Sequence, residues 1–334
     1  MKKVLVIIVV ILLTLVLSTK DEHHKYIISN TIDPNILETG EPTLEKLSKR
    51  PTIFDEVKTI LYKYPSLEKS IKNAFVKVPS SEGFIPQGIE IVNTYIFITG
   101  YFEENKNSLC YVIDESGEII NKAEFDINSH VGSISYDKNT NLIFIPGKED
   151  SVLAYNVFDF FTKSKVNYAF KFESLANEFI HYKNKDKKEV AYLTVDDNYL
   201  YIGSFSKNSP CLIKKYLITN DVSKIKLTYI NSFSVNEKIQ GIDFINKDDK
   251  KYMLLSSSFG RIFSSTLYVY LYDERITSYN AYLKKYTLPP MLEQISYYNN
   301  SLYLLFESNA TKYSNALDKI NYIIEMNIDK LIEE

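Results

Sequence analysis

The chain has 334 residues, 45% apolar and 14% aromatic, enough for one large core or two modest ones. Its formal net charge of −3 provides no basic field for nucleic acid. The only cysteines, Cys110 and Cys211, give no CxxC or Cys/His spacing for zinc. Both fall in predicted strands of different repeats, which favours two buried thiols over the disulfide an exported protein could form.

Lys2-Lys3 precede Val4–Leu17, an uncharged and almost wholly apolar run. The run is short of the ~20 residues of a comfortable membrane span and matches a signal-peptide core. Residues 1–19 therefore read as a signal peptide or an N-terminal membrane anchor, and the poor small-residue pair Val16 and Ser18 tilts the choice to an anchor. No cysteine follows, which excludes a lipid anchor. The two lysines keep the front end inside, so the rest is expected to be extracytoplasmic, secreted or held at the membrane through residues 4–17.

Residues 20–51 are a polar linker in which Asp21-Glu22-His23-His24 is solvated rather than a metal site. Thr52–Tyr62 predicts a helix: Thr52 caps it, and Ile53, Val57, Ile60 and Leu61 share one face. Pro65 ends it, and Ser66–Phe75 predicts a second short helix, which makes residues 52–75 a helical extension.

From Ala74 the hydrophobic period changes to two, and residues 76–334 form the main domain. Strands are predicted at Ile85–Val92, Tyr95–Thr99, Ser108–Asp114 and Ile119–Phe125. The pattern returns at His130–Tyr136, Asn141–Pro146, Ser151–Val157 and Tyr168–Phe172, then at Val190–Val195, Asn198–Ser204, Cys211–Ile218 and Thr228–Ser234. It returns again at Gln240–Ile245, Lys251–Ser256, Ser265–Tyr272 and Ala281–Leu288, and ends with Glu293–Tyr298, Ser301–Glu307 and Ile320–Asn327. Four strands repeating every ~40–50 residues are the signature of a β-propeller. The last unit has three strands, and Ala74–Val78 can supply the fourth by pairing the two ends of the chain. The fold expected is all-β, a five-bladed β-propeller, with six blades as the alternative.

In such a ring the first strands line the axis, and the loops entering them or leaving the second strands reach one face. The residues entering first strands are Gln87, His130, Glu189, Gln240 and Glu293. Those leaving second strands are Tyr101, Lys148, Phe205, Ser257 to Arg261, and Glu307. The ligand-binding candidates are Gln87, His130, Lys148, Gln240, Ser257, Arg261, Glu293 and Glu307. Arg261 suits a carboxylate or phosphate, or pairs with Glu307 across two blades. His130, Glu293 and Glu307 are the catalytic candidates, as an acid/base set or a one-His, two-carboxylate metal site; the alternative is a His130 that holds the turn before Gly132. No metal site and no cofactor are assigned. There is no nucleophile elbow, P-loop, dinucleotide fingerprint or EF-hand ladder.

Three separated motifs occur in order: Ser129-His130-Val131-Gly132-Ser133-Ile134; Gln240-Gly241-Ile242 with Leu255–Arg261 and Ser264–Leu267; and Pro289–Glu293 with Leu305–Tyr313. In these the chain resembles a group of uncharacterised secreted bacterial β-propeller proteins, over roughly Gln87 to Asn327. The resemblance implies the fold and export, and it picks out His130, Arg261, Glu293 and Glu307 without naming a substrate. Ser133 stands where a second glycine is expected.

Three functions are carried forward. The first is a monomer that binds a small anionic or polyhydroxylated molecule, or a cell-surface component, at a polar axial site. The second is an extracytoplasmic hydrolase or lyase on carbohydrate or cell-wall material, with His130 as base and Glu293 or Glu307 as partner. The third is a protein-interaction scaffold that uses exposed tyrosines.

Overall fold

The computed structural model describes residues 60, 63–81, 83–173, 188–221, 224–316 and 318–332. The predicted leader, the linker and nearly all of the first helix lie outside them. Among the described residues no helix is long and apolar enough to cross a membrane.

Among the described residues a short helix, α1 (Pro65–Ser70), leads into strand β1 (Ile71–Lys77). Blade 1 follows as β2 (Phe84–Val92), β3 (Tyr95–Phe102), β4 (Leu109–Ile113) and β5 (Ile119–Phe125). Blade 2 holds β6 (Ser135–Asp137), β7 (Leu142–Pro146), β8 (Val152–Asn156) and, after a helical turn α2 (Asp159–Thr162), β10 (Phe170–Phe172). The two-residue strand β9 (Lys165–Val166) precedes β10 and lies parallel on β5, the outer edge of blade 1. Blade 3 is β11 (Lys188–Asp196), β12 (Tyr199–Phe205), β13 (Cys211–Asp221) and β14 (Lys224–Val235). Blade 4 is β15 (Ile239–Lys247), β16 (Lys250–Ser257), β17 (Ser265–Leu271) and β18 (Lys284–Leu288). Blade 5 is β19 (Leu292–Tyr298), β20 (Ser301–Phe306) and β21 (Tyr322–Asn327), with β1 as its outer strand, antiparallel to β21. A last helix, α3 (Ile328–Ile332), follows β21.

The molecule is a five-bladed β-propeller. Its first strands neighbour one another in the order β2, β6, β11, β15, β19 and back to β2, so the ring closes. The described residues form five sheets, one per blade, and the described segment just before Ile71 is helix, not strand. Ser66–Phe75 corrects the sequence expectation in part. It is helical only to Ser70, and Ile71–Phe75 is strand because the free edge of β21 supplies backbone partners that a lone helix turn lacks.

There is no single core. Five apolar clusters fill the five gaps between blades, each built from strand faces that alternate in and out. Between blades 1 and 2, for example, Phe97, Cys110 and Phe125 meet Ile143, Leu153 and Tyr155. Cys110 and Cys211 are buried free thiols in different clusters, so each acts as a small apolar side chain.

The hairpin turns between first and second strands need left-handed backbone, and Asn93, Asn141, Asp197 and Asn299 supply it with φ of 59°, 56°, 53° and 46°. Near the axis the requirement is space. A Cβ on Gly88 would stand 2.2 Å from Thr99 Oγ1 and 3.0 Å from the Ser133 carbonyl carbon of the next blade. A Cβ on Gly241 would stand 3.0 Å from Gln294 Cα of its own next blade. Gly88→Ala should therefore cost about 1–3 kcal/mol by overpacking. A urea titration with an unchanged midpoint would show that the blades part freely.

One expected strand is largely missing. His130–Ile134 carries no ladder, and β6 starts only at Ser135. Val131 has φ of 43°, and the Ile134 N–H is taken by the Gln294 side chain at 2.9 Å instead of a strand partner.

Candidate functional site

Three first strands carry the same irregularity. The pairing shifts register between Pro86 and Gly88, between Ile239 and Gly241, and between Leu292 and Ile295. A bulge re-aims one side chain out of the alternation. The residues at those shifts include Gln87, Gln240 and Glu293, and all three line one cavity of about 820 Å³ on the face where the first strands begin. His130, Lys148, Arg261 and Glu307 line it too, with Phe205, Phe259 and Tyr313. Seven of the eight ligand-binding candidates thus share one cavity.

Ser257 is the exception. It lines a separate cleft, and its hydroxyl donates to the Glu237 carbonyl at 3.3 Å. It is the last residue of β16, whose alternation sends its side chain the other way; Ser258 reaches the cavity instead. The Glu189 side chain is outside those described, and Ala191 of blade 3 lines the wall.

The floor is a pair of carboxyls from blade 5. Glu293 at the bulge is buried, Glu307 just past β20 is half-buried, and the two are hydrogen-bonded to each other. Burial holds Glu307 up at about 7, although bonds from Tyr313, Gln87 and Glu293 favour its charged form. Burial first, and then the charge of Glu307, push Glu293 well above the usual carboxylate range. Both members of the pair are thus held toward the protonated form, Glu293 more strongly, because Glu307 has the other donors. Gln87 Nε2 donates to Glu307 Oε2 at 2.7 Å and to the Pro86 carbonyl at 2.9 Å. The amide thereby fixes the carboxylate across the junction between blades 5 and 1.

The other groups are arranged around this floor. The Tyr313 hydroxyl bonds Glu307, and burial raises its pKa. Lys312 Nζ donates to the Tyr101 hydroxyl at 3.3 Å and pairs with Glu103 at 2.9 Å. The His130 ring is exposed and lies stacked on Tyr101, centroids 4.3 Å apart at 30°. The carboxyl pair is hydrogen-bonded to Gln87, to Tyr313 and within itself. Arg261 does not form the expected ion pair with Glu307. Its guanidinium lies 5.0 Å from the centre of the Tyr313 ring and donates to Asn315 Oδ1 at 2.8 Å. The bridge from blade 4 to blade 5 is made, but through the ring and amide of a loop that strand patterning leaves blank.

Beneath the cavity sits Gln294, next to Glu293 in the same bulge and 1% exposed. Its Oε1 accepts from the Ile89 and Ile134 N–H groups, both at 2.9 Å, and its Nε2 donates to the Ile134 carbonyl at 2.7 Å. One side chain thus ties blade 5 to blades 1 and 2. Sequence reasoning passed over Gln294 because strand alternation turns it away from its neighbour; only the bulge buries both. It also passed over Ser129, Glu149, Asp150 and Met291, which sit in loops, and Tyr313, which ends a 3-10 turn (Thr311–Tyr313). For Tyr313 a signal existed: the unusually long stretch between the last two predicted strands, which must cover something.

Four carboxyl groups and two cations line the cavity, and among the described residues no group of three or more His, Cys, Asp or Glu is placed to hold a metal ion. The arrangement offers one carboxyl donor, one carboxylate acceptor, an amide and a phenol at the floor, aromatic faces on the walls and cations at Lys148 and Arg261.

No family model and no curated protein matches the chain by sequence. Among solved structures it is similar to a nidogen/laminin complex at 11% identity, covering 67% of this chain and 73% of that one, TM-score 0.37. The Dos1 propeller matches at 9% identity over 64% and 52% of the two chains, TM-score 0.33. The Myceliophteria thermophila Cps50 (Swd1) β-propeller domain matches at 8% over 77% and 99%, TM-score 0.38.

Proposed function

We propose that the chain is an extracytoplasmic binding protein whose axial cavity takes a small polyhydroxylated or anionic ligand. A propeller supports a binding or scaffolding role in general, because its loops present side chains from a rigid ring. The finer reading is supported by one observation, the hydrogen-bonded carboxyl pair Glu293–Glu307 at the floor of an open cavity of about 820 Å³. That volume lies in the range of about 300–1,000 Å³ typical of small-molecule sites. A carboxylic acid beside a carboxylate offers a donor and an acceptor side by side, the complement of neighbouring hydroxyls. Lys148 and Arg261 would take an acidic substituent. Export rests on Lys2-Lys3 and Val4–Leu17, and the protein would work outside the membrane as a monomer.

The hydrolase or lyase reading ranks second. Hydrogen-bonded carboxyls stand closer than the ~5 Å that retaining glycosidases keep between their two groups, and the His130 ring is stacked on Tyr101.

A thermal-shift screen of sugars, sugar acids, phosphates, nucleotides and divalent metals tests the proposal. A ligand confined to the folded state must raise the melting temperature, so one ligand class should give a rise of a few degrees. Gln87→Leu should abolish the rise. Arg261→Ala should weaken it for acidic ligands only, and should cost less than ~1 kcal/mol by itself because its contacts lie at the solvated rim. A flat screen, or a shift that survives Gln87→Leu, removes the axial site.

A further inference from the structure

A second hollow adjoins the axial cavity. A cleft of about 670 Å³ runs between blades 3 and 4, lined among others by Asn208, Asn236, Lys238, Ser257, Phe263 and Tyr268. Ser258 and Phe259 line both spaces, so the blade 4 loop after β16 is the ridge that divides them. The ridge is exposed and apolar to a degree that folding does not explain. Phe259 is 40% exposed, Ile262 71% and Phe263 72%. Lys207 Nζ stands 5.0 Å from the Phe259 ring centre and places a charge beside it.

From this continuity we infer that the ligand is a chain and not a single unit: an oligosaccharide whose terminal sugar sits on the axial floor and whose next units cross Phe259 into the blade 3/4 cleft. The inference rests on the axial binding reading. Each hollow alone is sized for one small molecule, and the two joined exceed the ~1,000 Å³ that one such molecule fills. The cleft repeats the chemistry of the cavity: side-chain amides, hydroxyls and a lysine for polar edges, aromatic faces for C–H surfaces. A sugar chain presents both in every unit. A peptide would instead want an open strand edge or deep apolar pockets.

The test is an array of immobilised glycans, one to eight units long, that includes uronate, sialate, amino-sugar and neutral chains, run beside a peptide array. Wild type should bind chains of three or more units better than single sugars. Phe263→Ser, at an exposed position that leaves the fold intact, should weaken chain binding about three- to tenfold and leave single sugars unchanged. Gln87→Leu should abolish both. Equal binding of single sugars and chains, or a length preference that Phe263→Ser does not alter, overturns the chain inference and leaves the axial site standing. Absence of glycan binding at every length overturns the chain inference, and the axial site then stands or falls by the thermal-shift screen. Peptide binding that depends on Phe263 reassigns the ridge to a protein partner.

Discussion

Gln294→Leu should destabilise the protein by about 3–5 kcal/mol, the largest effect expected from any near-isosteric change in the ring. The residue is buried, and leucine fills a similar volume. What changes is that the Ile89 and Ile134 N–H groups and the Ile134 carbonyl lose their partner at the axis. Each stranded buried backbone group costs about 1–3 kcal/mol, against a total stability of about 5–15 kcal/mol for a typical domain. Equilibrium urea unfolding measures the loss directly. A change under ~1 kcal/mol would mean that water reaches the axis and replaces the amide. Glu293→Gln beside it should cost far less, because Glu293 already carries a proton and a neutral amide can still donate to Glu307.

The second large effect is on pH dependence. Burial raises Glu90 and Glu307 to about 7, holds Glu293 and Asp243 well above the usual range, and raises Asp196. A carboxyl with a raised folded pKa keeps its proton in the fold after the unfolded chain has lost its own. Between about pH 4.5 and 7 unfolding therefore releases protons, and stability falls as pH rises, at about 1.4 kcal/mol per pH unit for each such group. Above pH 7 Glu90 and Glu307 add no further loss, and any remaining slope belongs to Glu293 and Asp243. The melting temperature should thus be several degrees higher at pH 5 than at pH 8. Glu307→Gln removes one titrating group and relieves its neighbour, so the slope should flatten. A melting temperature that rises with pH across this window would contradict the protonated floor. The exposed Asp273, which Arg275 holds down at about 2, titrates below this window and leaves it unaffected.

The architecture was legible in the sequence for a plain reason. Each blade is a meander of neighbouring strands, so alternation, turn residues and repeat length are all local signals. The turns at Asn93, Asp197 and Asn299 and the closing strand near Ala74 follow from them. The sequence also placed Gln87, His130, Lys148, Gln240, Arg261, Glu293 and Glu307 on one face, because equivalent blade positions must converge at an axis.

What residue order could not decide is how the backbone departs from alternation. The bulges at Gln87, Gln240 and Glu293 and the unladdered stretch His130–Ile134 arise where strands from different blades crowd together, as Gly88 does against Ser133, Gly241 against Gln294 and Gln294 against Ile134. Those departures bury Gln294 as the staple of the ring, lay His130 on Tyr101, and give Arg261 the Tyr313 ring instead of Glu307. Local sequence thus set which residues reach the axis. Packing at the axis set which of them meet, because there the backbone has no room to follow its local preference.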